Sequence, residues 1–140
     1  VVHGIAQGLA PRRAILAGMG LEGLLGGEQR HRFFLEAFDK FETASRGDRH
    51  WFAVQFMKSQ KVDRVATRLL LLSNATVTEE MLARLTMPTL VLCGADDQDN
   101  GSAPALAERL PNATYAEVPG THTTSVTQKA LGEAMVEFLS

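Results

Sequence analysis

The chain has 140 residues, 45% of them hydrophobic, with 14 Lys and Arg against 16 Asp and Glu for a net charge of −2. This is one domain's worth of sequence, short of the roughly 200–250 residues of many α/β enzyme domains, and its balanced charge without a basic run argues against nucleic-acid binding. No stretch reads as a membrane span or a signal segment, and a single cysteine, Cys93, excludes an internal disulfide and fits a reducing cytoplasm.

The chain opens with no methionine and no capping residue. Val1, Ile5 and Leu9 follow at helical spacing, so these residues read as the middle of a helix and the chain as part of something longer. Pro11 and two arginines break that helix. Ala14 to Ala17 then form an apolar run suited to a buried strand, ending at Gly18. Phe34, Phe38 and Phe41 predict a helix, and Phe52 and Phe56 repeat the spacing after a turn. Residues 62–72 and 78–85 read as further helices, the second behind a capping box from Thr76 to Glu79. After Pro88, "TLVLCG" is a continuous apolar run that predicts a buried parallel strand. A helix over 102–110, a strand in "ATYAEVPG" and an amphipathic helix over 126–139 complete the chain. The last helix aligns Val126, Ala130, Ala134 and Phe138. Strands alternating with helices in this order predict an α/β fold with a parallel sheet. Two Asn-Ala-Thr triplets, at Asn74 and Asn112, read as chance sequons.

Gly18, Gly20 and Gly23 stand in the spacing G-x-G-x-x-G of a dinucleotide cradle. Such a turn should open one crossover helix, followed by a strand about 20 residues on that carries an acid for the ribose. Here the next ~60 residues read as helical, with Asp39 and Glu42 on a helix. The glycines therefore read as a strand ending in a turn, and no cofactor is expected.

Two strand ends carry groups capable of chemistry. Asp96, Asp97 and Asp99 follow the "TLVLCG" strand, and His122 follows the next one. Loops at the carboxyl ends of parallel strands converge on one crevice. A carboxylate accepting from Nδ1–H would fix the imidazole tautomer and leave Nε2 to take a proton from a nucleophile. Asp96, Gln98, Asn100 and Gly101 also fit four positions of an EF-hand loop, but position 12 would be Ala107, so calcium is not expected. His3, His31 and His50 lie on predicted helices without metal-ligand spacing, so no metal is expected either. Cys93, within a strand, reads as an inert buried thiol.

"MPTLVLCGADD", followed by "VPGTHTTSV" and a closing helix, resembles the C-terminal half of the α/β-hydrolase fold family. The resemblance matches Gly94 and Asp97 to that family's triad acid, three residues after a strand-ending glycine. It matches Gly120, Thr121 and His122 to the turn bearing its histidine, in the order Ser, acid, His. It implies a partial α/β-hydrolase fold, with 1–25 and 86–140 as part of the core and 26–85 as a helical cap. The opening helix corresponds to the one after the nucleophile elbow. The implied activity is hydrolysis of an ester or other activated acyl or carbon–carbon bond in a small apolar substrate. His122 would be the base and Asp97 its orienting acid, and some of the aromatic residues from Phe33 to Phe56 would touch substrate.

No G-x-S-x-G occurs in the 140 residues. The nucleophile and half of the oxyanion hole are expected ahead of Val1, and this chain alone is expected to be inactive. The strand at 14–18, central in the whole fold, should present a free edge and favour self-association. The alternative from another class is a non-catalytic module binding a small ligand or a protein, with a self-sufficient sheet and Asp97 facing solvent.

Overall fold

A computed structural model describes residues 1–73 and 76–140; the asparagine and alanine of the triplet that begins at Asn74 lie outside them. In chain order the elements are α1 (Val2–Ala6), β1 (Ala14–Ala17), α2 (Leu21–Leu25), α3 (Gly27–Asp39), α4 (Trp51–Ser59), α5 (Arg64–Ser73) and α6 (Glu79–Ala83). Then follow β2 (Thr89–Gly94), α7 (Ala103–Arg109), β3 (Ala113–Val118), a 3-10 turn at Ser125–Thr127 and α8 (Lys129–Leu139).

The strands form one parallel sheet in the order β1-β2-β3, with Ala14 opposite Thr89 and Thr89 opposite Ala113. β2 is central, and every one of its residues is buried. That is why its sequence is continuously apolar rather than alternating. Successive side chains enter opposite layers. Val91 and Cys93 join Leu16, Leu82, Leu85 and Leu106 in a core covered by α1, α6 and α7. Leu90 and Leu92 join Val118 beneath α8, whose Ala130, Ala134 and Phe138 pack there.

The chain divides into two compact units, one of Val1–Leu25 with Val77–Ser140 and one of Gly26–Thr76. The helical segment therefore ends at Thr76 rather than at 85, because Leu82 and Leu85 are buried in the core beside the sheet. Within the helical unit α3, α4 and α5 enclose a small core of Ala37, Phe38, Val54 and Met57.

Several local expectations are corrected by packing. α1 buries Val2 and Ile5 while Val1 and Leu9 stay exposed, because the helix stops at Ala6. The capping group of α6 is Thr78, whose hydroxyl accepts from the Met81 amide, not Thr76. Val126 is exposed in the 3-10 turn, because extended Gln128 separates that turn from α8. Phe52 and Phe56 are also exposed, since α4 turns Val54 and Met57 inward and the two rings share another face. Among the described residues no helix is long and apolar enough to cross a membrane.

Candidate active site

The site grows from the carboxyl ends of β2 and β3. Pairing continues past the strands: the Ala95 amide donates to the Val118 carbonyl at 2.8 Å and the Asp96 amide to the Gly120 carbonyl at 3.0 Å. The loops approach so closely that a Cβ at Gly94 would stand 2.3 Å from the Gly120 oxygen. Gly120 itself has a φ of +111°, a conformation that only glycine adopts without strain. Both glycines are thus conditions for the two loops to lie side by side. The Asp97 amide then donates back to the Gly94 carbonyl, closing the turn that aims Asp97 at the neighbouring loop.

Asp97 and His122 meet there. His122 Nδ1 lies 2.9 Å from Asp97 Oδ2, with the Asp97 side chain 2% exposed and the imidazole 35%. Asp97 Oδ1 accepts the Asp99 amide at 3.0 Å, and Oδ2 also accepts the Cys93 thiol at 3.3 Å. Burial pushes the Asp97 carboxyl upward, but hydrogen bonds from His122, the Asp99 amide and Cys93 outweigh it and hold the group below its ordinary value. The carboxylate is therefore ionised, and Nδ1 carries the proton shared with it. Nε2 has no hydrogen-bond partner among the described residues. Such an arrangement holds an imidazole in the tautomer that accepts a proton at Nε2 and stabilises the imidazolium that results.

Asn100, to which the sequence pattern assigns no catalytic role, lies between the third strand end and this pair. Its Nδ2 donates to the Gly18 carbonyl at 2.7 Å and stands 3.4 Å from His122 Nδ1. Its backbone carbonyl accepts from the amides of Gly20 and Gly23 at 3.1 and 3.0 Å. A Cβ at either glycine would strike residues 100–102, at 2.2 Å from the Gly101 carbonyl carbon and 2.5 Å from the Asn100 oxygen. The spacing G-x-G-x-x-G thus serves close packing, and amides that would face a phosphate are occupied by Asn100. Gly18, with φ +66°, leaves room for the imidazole: a Cβ there would stand 3.2 Å from His122 Cε1.

Asp96 and Asp99 are exposed beside the pair. Asp97, Asp99 and His122 each bring one ligand atom within 4.8 Å of the others, but His122 Nδ1 is engaged by the Asp97 carboxylate. Gln98 is exposed, and the Asn100 side chain turns to Gly18 rather than toward Asp96. Cys93 is buried as expected, yet it is bonded to Asp97. His50, in the helical unit, is buried with Nδ1 3.1 Å from Asp48 and Nε2 3.2 Å from Glu36, a packed and satisfied histidine. The module reading required Asp97 in solvent, whereas its side chain is buried against His122 and Cys93.

No protein-family model matches the chain, and no curated protein matches it. Solved structures do. It is similar to a bromoperoxidase from Bacillus anthracis (19% identity, TM-score 0.51), covering 91% of this chain and 58% of that one. It is similar also to an enol-lactonase from Burkholderia xenovorans LB400 (17%, TM-score 0.53; 99% and 60%). A third is an alpha/beta hydrolase from Sphaerobacter thermophilus (16%, TM-score 0.55; 99% and 62%). The chain spans about 60% of the length of these structures. Its fold is part of the α/β-hydrolase fold: three parallel strands with flanking helices and a helical insertion between β1 and β2.

Proposed function

Proceeding from this partial α/β-hydrolase fold, we propose that the chain is the C-terminal part of a hydrolase that cleaves an ester or other activated acyl or carbon–carbon bond in a small apolar substrate. The observation that carries the reading is the 2.9 Å contact between His122 Nδ1 and a buried, ionised Asp97 at adjacent strand ends.

In this reading His122 Nε2 takes the proton of a serine hydroxyl as it attacks the substrate carbonyl. The resulting imidazolium stays bonded to the Asp97 carboxylate, and its proton passes from Nε2 to the leaving group. A water molecule then repeats the attack through the same base to release the acyl group. The serine, and the backbone amide that stabilises the oxyanion, come from a segment ahead of Val1. In this reading the chain supplies the base and its orienting acid, and hydrolysis needs the nucleophile of the preceding segment. The helical unit Gly26–Thr76 corresponds to the cap of such enzymes.

Mass-spectrometric mapping of the protein from its source cells tests the proposal. Peptides preceding Val1 that contain Gly-x-Ser-x-Gly are the expected result. A native chain that begins near Val1 would remove the mechanism.

A further inference from the structure

The thiol of Cys93 belongs to the layer of side chains between the sheet and α7, and the residue is 4% exposed. Its sulfur nevertheless reaches Asp97, with Sγ 3.3 Å from Oδ2, the same oxygen that His122 Nδ1 contacts. A carboxylate oxygen accepts along two lone-pair directions. The Asp97 side chain is 2% exposed, and a buried acceptor left unfilled is costly. We propose that Cys93 is a positioning residue for the Asp97–His122 pair: its S–H fills the second lone pair of Oδ2 and fixes the rotation of the carboxylate.

Three donors then surround the group. The Asp99 amide holds Oδ1, and the thiol and the imidazole share Oδ2, so rotation of the carboxylate breaks all three bonds together. The sulfur must stay protonated for this, since a thiolate beside a carboxylate repels it. Burial first, and then Asp97 itself, push the Cys93 thiol up to about 11. The same conditions make it a poor nucleophile at neutral pH. Its role in catalysis rests on the hydrolase reading, whereas the bond to Asp97 does not.

Cys93 is the only cysteine, so the S–H stretching band in the infrared spectrum of the chain belongs to it. The expected band is displaced to lower frequency than that of an unbonded thiol, and it returns to the unbonded position in Asp97→Asn. An unbonded band in the unsubstituted chain overturns the proposal. Carbon NMR of the Asp97 carboxyl supplies the positioning readout. Cys93→Ala raises its titration midpoint by about half a pH unit. Cys93→Ser, which removes the same sulfur but restores a donor, brings the midpoint back. Equal midpoints in the Ala and Ser variants would also refute it. A displaced band in a protein whose native form lacks a nucleophile leaves the Cys93–Asp97 bond standing and removes only the hydrolase reading.

Discussion

Asp97→Asn replaces one carboxylate oxygen by an NH2 group and removes one charge, and the surrounding donors dictate the response. In the unsubstituted chain both carboxylate oxygens accept, Oδ1 from the Asp99 amide and Oδ2 from His122 and Cys93. An asparagine must place its NH2 on one side. Toward Asp99 it meets an amide donor that has no alternative state. Toward His122 it meets a ring that relieves the clash by moving its proton from Nδ1 to Nε2. The second orientation is therefore favoured, and the tautomer inverts. An N–H bond to a carboxylate contributes about 1.5–3 kcal/mol net, so its removal shifts the tautomer ratio by about ten- to a hundredfold. Long-range nitrogen–proton NMR of the neutral ring reads this directly. The unsubstituted chain should show Nδ1 protonated and the variant Nε2 protonated. An Nε2–H tautomer before substitution, or no change after it, would refute the reasoning.

Three further outcomes rest on the packing and the sheet. Leu106→Ala, at a fully buried position between α7 and the sheet, should lower the unfolding free energy by about 2–5 kcal/mol in urea titration, and a loss below about 1 kcal/mol contradicts that core. Cys93 rises from 9.0 to about 11 on folding, so its contribution is present below pH 9 and is lost as pH rises toward 11; the stability of the unsubstituted chain relative to Cys93→Ala should fall by about 2 kcal/mol between those two pH values, and a constant difference contradicts it. The Ala14 and Gly18 amides donate to the carbonyls of Pro88, just before β2, and Leu92, within it, so those of Ile15 and Ala17 face away along an edge with no strand partner among the described residues. Light scattering should then show a mass that grows with concentration and that Ala17→Pro reduces, whereas a monodisperse 15.2 kDa species counts against pairing through this edge.

Legibility in the sequence tracked the reach of each interaction. β2 could be read because burial on both faces forces a continuous apolar run, and β3 because it begins and ends at turn residues. That Asp97 and His122 meet could be anticipated because each lies in the loop after a strand, and loops at that end of a parallel sheet converge. The Cys93 bond was hidden, since an in-strand thiol looks the same whether it faces hydrocarbon or a carboxylate. Asn100 was hidden for a different reason: its partners, Gly18, Gly20 and Gly23, are some 80 positions away in the chain. The G-x-G-x-x-G spacing was a visible sign of close backbone approach, but not of which backbone approached. Phe52 and Phe56 share a helical spacing with the core rings and are exposed, because spacing defines a face without saying which way it turns.

The proposed role of His122, oriented by Asp97, is that of the base of a hydrolase completed by a preceding segment. Its most direct test is the initial rate of p-nitrophenyl ester hydrolysis by the native-length protein, measured beside its His122→Gln variant. Activity in the first and a loss of roughly a thousandfold or more in the second are expected. Equal rates in the two proteins would contradict that role.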